Sequence, residues 1–424
     1  RLSPFPSRLS PLAFPLSPLA FPLSPLTYLL KCSIFSSPKH KHIHERGISM
    51  GTLRQFYPGG NTCQGFYSFY HYIVNPRATR IFVLKGGPGV GKSTFMKKFA
   101  REFEKTGFNL ELHWCSSDND SLDALVLSDY EIALLDGTNP HIVDPRYPGA
   151  VDEIINLGEC WNEALLIHSK LPIIDFTDSI ARYFRMAYLR LKEAQTVWNQ
   201  LHEYYLESVP KSFGYHILRQ LKQELADTKA FPAGDMNSTR HLFASAITPL
   251  GVANHAASLI QDHRILALQG NPGTGMHEIL QDLLQWSYQK SIPVEVYHNC
   301  FNPDLLEILV FPHHRIAVVD ASGLVVNFEK TLSKVAEGRI FDFNGEIDPG
   351  RIMRFSGEIE DAKERFNTSL LAAIGFINLA KQNHDQLEQY FIPAMNFTQV
   401  DQVYHTTRER ILAYVANSKE SGKL

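Results

Sequence analysis

The chain has 424 residues, of which 20% are charged and 44% hydrophobic, with 41 Lys and Arg against 44 Asp and Glu for a net charge of −3. That size suits a globular protein of about two ordinary domains, and the balanced charge gives no chain-wide attraction for nucleic acid or an acidic membrane. Five cysteines (Cys32, Cys63, Cys115, Cys160, Cys300) lie far apart with no C-x-x-C pair, which argues against zinc and suits a reducing compartment. Beyond residue 50 no stretch offers the roughly 18 uninterrupted apolar residues that a membrane-crossing helix needs, so the expected location is the cytoplasm.

Residues 1–49 are a different kind of sequence. "SPLAFPLSPLAFPLSPL", residues 10–26, repeats a seven-residue unit with prolines at 11, 15, 18, 22 and 25, through which neither a helix nor a central strand can run. No Asp or Glu occurs before Glu45, and ordinary domain composition starts at Met50. Three readings compete for this leader: translated upstream sequence, a targeting peptide that would move the protein to an organelle, or a Pro-rich linker. All three exclude it from the fold.

The body starts with an apolar run, "RIFVLKG", that reads as a strand and leads into "GGPGVGKST", residues 86–94. Gly86, Gly87, Pro88, Gly89, Val90, Gly91, Lys92 and Ser93 satisfy the phosphate-loop pattern G-x-x-x-x-G-K-[ST], between a predicted strand and a predicted helix. Glycines let successive backbone N–H groups curl around a β-phosphate, and the helix that follows points its positive end at the same place. In that chemistry Lys92 reaches the β- and γ-phosphates, Ser93 ligates Mg²⁺, and Thr94 sits near the α-phosphate.

A second strand, "NLELHWC", is followed by the polar run "CSSDNDSLD", residues 115–123. Asp118, Asp120 or Asp123 could supply a base or hold a second substrate, or the run could simply cap the next helix. Further on, "EIALLD" ends in Asp136, placed as a magnesium-side carboxylate, although an aspartate opening the turn "DGTNP" would look the same. Thr138, His141, Asp144 and Arg146 follow beyond that strand's carboxyl edge, where open α/β sheets place their sites; His141 could orient water or serve the loop's structure. Residues 178–228 then show apolar positions at helical spacing, read as a helical hairpin attached to its own sheet. On it, Arg182 and Arg185 could approach phosphates or lie solvated. Long apolar stripes of this kind are core, domain-packing surface or a docking face for a partner protein.

The cluster "AFPAGDMNS", residues 230–238, supplies a boundary, after which the pattern begins again. At a constant offset, Ile81 matches Ile265, Gly86 matches Gly270, Gly89 matches Gly273, Gly91 matches Gly275 and Asp136 matches Asp320. "RILALQG", "PVEVYHN" and "RIAVVD" restate the three strands, and residues 358–391 restate the helical region. A repeat of this length means tandem domains rather than a solenoid. The expected fold is α/β, with two tandem P-loop-like domains at 50–235 and 236–424, each a parallel sheet carrying a helical hairpin. In the second loop Lys92, Ser93 and Thr94 are replaced by Met276, His277 and Glu278, so the shape is kept while the ammonium and the metal-binding hydroxyl are lost. Glu278 would oppose Mg-ATP, although backbone amides could hold a weak anion.

The intact loop, "LLDGTNPHIVDPRYPGAVDEIINLG", the "GFYSFYHYI" run at 65 and "RHLFASAITPLG" at 240 resemble a bacterial family of duplicated P-loop ATP-binding proteins, ATPase- or nucleotide-kinase-like. The resemblance implies ATP at Gly86–Thr94 with Asp136 on the Mg²⁺ side, and covers nearly all of residues 50–424. The leading expectation is Mg-dependent ATP hydrolysis at one site, the partner being a nucleotide. The alternatives are a nucleotide-kinase-like phosphotransferase and a non-enzymatic ATP-binding scaffold that engages a protein through its helices.

Overall fold

Alternating runs of branched apolar residues and amphipathic stretches give two six-stranded sheets flanked by helices in the computed structural model, which describes residues 51–140, 142–226, 239–328 and 338–420. The Pro-rich leader, His141 and the expected boundary at 230–238 lie outside the described residues. Among the described residues no helix is long and apolar enough to cross a membrane.

The first half contributes β1 (Leu53–Phe56), β2 (Gly59–Thr62), β3 (Gly65–Ser68), β4 (Arg80–Lys85), β5 (Leu110–Trp114), β6 (Leu122–Leu127), β7 (Ile132–Asp136) and β8 (Asp152–Asn156). The second contributes β9 (His241–Phe243), β10 (Ser245–Thr248), β11 (Gly251–Asn254), β12 (Arg264–Gln269), β13 (Glu295–His298), β14 (Leu306–Phe311), β15 (Ile316–Asp320) and β16 (Gly338–Asp342). One sheet runs β1-β5-β6-β7-β4-β8 and the other, read in the same sense, β9-β13-β14-β15-β12-β16. The identical order is the repeat seen in three dimensions. β2–β3 and β10–β11 are separate two-stranded hairpins.

The sheets are not purely parallel as expected. β6 runs antiparallel to both β5 and β7, and β14 antiparallel to β13 and β15, while the remaining pairs are parallel. Each added strand is wholly buried and reads as a plain apolar run, which fixes burial but carries no direction.

The helices also depart from expectation. They are α1 (Lys92–Lys105), α2 (Lys170–Tyr205), α3 (Lys211–Ala226), α4 (Met276–Gln289), α5 (Ser356–Phe391) and α6 (Phe397–Glu420), with a few shorter turns between. α2 does not fold back as a hairpin on its own half; it lies antiparallel along α5. The Phe176 ring near its start meets Tyr390, and Tyr204 near its end meets Phe355, with ring centroids 6.1 and 5.3 Å apart. Ala187, Leu191, Ala194 and Leu201 of α2 and Ala362, Phe366, Ala373 and Ile377 of α5 are buried at the three-four spacing of a two-helix seam, the alanines allowing close approach. α3 puts Ile217, Leu218, Leu221 and Leu225 into the core around β12 and α4 of the second half. Reciprocally, α6 puts Val400, Tyr404, Ile411 and Val415 into the core around β4 and α1 of the first half. Each half therefore lends a helix to the other's sheet. One hydrophobic core spans both halves through Phe56, Tyr57, Leu191, Phe243, Tyr297 and Phe366. The described residues accordingly belong to one compact unit rather than two separable domains.

Candidate functional site

The parallel pairing of β4 with β7 sets Leu84 opposite Asp136, so the glycine loop and this carboxylate leave the sheet at one edge. Gly86, Gly89 and Gly91 have φ of 145, 67 and 93°, left-handed values that let the loop curl and then feed α1 from Gly91. Phe95, Met96, Phe99 and Phe103 pin α1 to the sheet and hold its first turn at the loop.

Lys92 opens α1. Its Nζ donates to the carbonyls of Gly86 and Gly87 at 2.9 and 3.0 Å and lies 3.7 Å from Asp136 Oδ2. The other oxygen of Asp136 accepts from the backbone N–H of Thr138 at 2.9 Å and its hydroxyl at 2.6 Å. Asp136 thus both builds the turn and faces the lysine. Ser93 Oγ accepts from the Leu122 N–H at 2.9 Å, and Thr94 is exposed.

The loop is covered by the other half. A β-carbon placed on Gly87 would sit 2.7 Å from the Phe391 ring, and one on Gly89 would sit 3.1 Å from Ile392 and 3.2 Å from Glu388. The carboxyl end of α5 therefore forms a wall over the loop, and with it come Lys381, His384, Asp385 and Glu388. Lys381 lies 3.3 Å from Asp118 and also bonds Asp385; burial alone would lower its pKa, yet those carboxylates hold it above the ordinary lysine value. His384 Nδ1 is 3.6 Å from Glu388 Oε1, and burial holds its pKa below the usual value against the pull of Glu388. The ligand atoms of His384, Asp385 and Glu388 lie within 4.8 Å of one another, close enough to hold a metal ion.

The remaining candidates scatter. Asp118 is joined to the site through Lys381, whereas Asp120 offers its backbone carbonyl to Lys97. Asp123 is buried on β6 beside Tyr70 and Cys115, away from solvent. Asp144 faces Lys85 at 3.4 Å, Arg146 lies over its neighbour Tyr147, and Arg182 and Arg185 are exposed on α2.

The second loop repeats the backbone without the charge: Gly273 and Gly275 have φ of 88 and 104°, and α4 starts at Met276. Its wall is the carboxyl end of α2, whose His202 carbonyl oxygen would lie 2.2 Å from a β-carbon on Gly273. Each loop is thus roofed by the long helix of the opposite half. Sequence reading missed the α5 residues because that contact joins segments some 300 positions apart; the one available signal was "LEQYFIPAM" at 387 repeating "LHEYYLESV" at 201. Compared with family models, curated proteins and solved structures, the chain matches none of them.

Proposed function

We propose that the first loop binds the phosphates of a nucleoside triphosphate, ATP being the expected nucleotide, and that the chain hydrolyses it with α5 of the second half completing the site. The observation that carries this reading is the Lys92 ammonium, held by two loop carbonyls within 3.7 Å of Asp136, at the end of the strand paired with the loop's own strand. A cation fixed against backbone amides and a helix start is what a polyphosphate needs, since charge-assisted bonds and the helix end act on the same atoms.

The reading includes Mg²⁺ with the nucleotide. Ser93 Oγ and Asp136 would supply oxygen donors, the kind a hard cation prefers, and the ion would neutralise charge on the phosphate oxygens. Glu388, whose side-chain carbons pack on Gly89 and whose carboxylate faces His384, would take a proton from an attacking water. Lys381, fixed by Asp118 and Asp385, is the second cation on that wall. The replacement of the second-loop lysine follows from this arrangement. The second half serves the first site through α5 and has no need of its own phosphate charge.

The test is phosphate release from Mg-ATP with no acceptor, alongside calorimetric binding. Release abolished by Lys92→Ala and slowed by Glu388→Gln, with binding kept in the latter, supports hydrolysis completed by the second half. Binding without release, followed by transfer on addition of a nucleotide acceptor, would replace hydrolysis with phosphotransfer. Binding undiminished in Lys92→Ala would remove the site.

A further inference from the structure

A cavity of about 60 Å³ lies behind the second loop, lined by Gly273, His277, Glu278, Glu307 and Asp320 with Trp198 from α2. Its volume holds roughly two water molecules, too little for a nucleotide and enough for an ion with one or two waters. Among the described residues on its lining the acidic side chains are Glu278, Glu307 and Asp320, with His202 and His277 beside them and no lysine or arginine, the position of Lys92 being taken by Met276. Glu307, on the buried strand β14, is 1% exposed. One of its oxygens accepts from Ser245 Oγ at 2.7 Å, and the other is buried at the cavity with no hydrogen-bond partner. Asp320, at the end of β15, keeps one oxygen on the Ser322 N–H at 2.9 Å.

We infer that this cavity is a site for one divalent metal cation, held by Glu307 and Asp320 with water completing the shell. An unpartnered carboxylate oxygen in a buried site costs a few kcal/mol, so some group must satisfy it. A phosphate or other anion would meet three acidic side chains and, among the described residues on the lining, no lysine or arginine. Two carboxylates match a double positive charge, whereas a monovalent ion would leave one unbalanced. Two carboxylates and water as ligands suit a hard ion of the Mg²⁺ or Mn²⁺ kind, which keeps several of its waters.

The inference stands apart from nucleotide binding at the first loop, and the test separates them. Full-length protein stripped with a chelator is titrated with Mn²⁺ in the absence of nucleotide, and free Mn²⁺ is followed by its electron paramagnetic resonance signal. The expected result is one equivalent that persists in Glu388→Gln, which disables the His384 cluster, and is taken up at least tenfold more weakly in Glu307→Gln. Glutamine keeps the shape and the Ser245 bond; if that variant does not fold, Asp320→Asn on the neighbouring strand decides. ATP affinity at the first loop should be unchanged in both cavity variants. No uptake by the wild type at millimolar Mn²⁺, or uptake undiminished in the folded cavity variant, overturns the inference.

Discussion

Arg240 and Glu111 join the two halves by a two-pronged ion pair, each guanidinium nitrogen 2.8 Å from one carboxylate oxygen. The pair has a pseudo-symmetric twin, Arg54 with Glu295, at 3.0 and 2.5 Å, so each half gives an arginine and takes one, as in a twofold interface. Burial alone would raise the Glu111 carboxyl, yet Arg240 holds it far below the carboxylate range. Removing Glu111 leaves the Arg240 guanidinium on the Tyr72 and Ile73 carbonyls without its carboxylate. Glu111→Ala should therefore lower unfolding stability by about 3–5 kcal/mol. Because the core is shared, chemical denaturation should still show one transition rather than two.

The two loops should respond differently to the same substitution. Gly273→Ala drives a methyl to 2.2 Å from the His202 carbonyl oxygen, a backbone atom at the end of a long helix, whereas Gly89→Ala meets side-chain carbons of Ile392 and Glu388 at 3.1–3.2 Å. Both positions have positive φ, which costs about 1–2 kcal/mol by itself. We expect Gly89→Ala to lose about that amount and Gly273→Ala about 3–4 kcal/mol. Equal melting temperatures for the two would mean that α2 yields as easily as a side chain.

At the first loop, Lys92→Ala removes the one ammonium held by the Gly86 and Gly87 carbonyls. A charge-assisted bond to phosphate contributes about 1.5–3 kcal/mol, so affinity for Mg-ATP should fall roughly 10- to 100-fold in a calorimetric titration. The fold should survive, since Met276 takes the same position in the second half.

Acid should loosen the seam between the halves through His255. Its ring stacks between Tyr57 and Trp114 at 5.2 and 5.9 Å, and burial lowers its pKa to about 4 from 6.5. The unfolded chain takes up this proton first as pH falls. The contribution of His255 is therefore complete above pH 6.5 and is lost on going down to about 4, by at most about 3 kcal/mol. His255→Phe keeps a stacked ring but cannot titrate. Its stability deficit at pH 7.5, from the lost 3.2 Å contact with the Tyr57 hydroxyl, should shrink or reverse by pH 4.5. A deficit that stays constant over that range would show that His255 is not the group responsible.

The loops, their strands and Asp136 were legible in the sequence because glycine spacing, a lysine and a carboxylate after an apolar run are local chemistry. The inversion of β6 was not, since "LDALVL" buries every residue in either direction. The long helices were legible as helices, but an apolar stripe names the buried face and not its partner. So Leu191 announced burial without announcing Phe366, and nothing local told that Glu388 would lie on Gly89. The mutual pairing of Arg54 and Arg240 with glutamates of the opposite half was hidden for the same reason.

The crossing over of α3 and α6 bears on how this gene can be cut. A fragment ending near residue 226 would carry a greasy helix with no sheet to lie on and a sheet whose outer face had lost Tyr404 and Ile411. The matching fragment would have the same defect in reverse. Expressed singly, both pieces would be sticky and unfolded; expressed together, they would find each other. The unarmed copy thus persists as half of a clasp that neither twin can fasten alone.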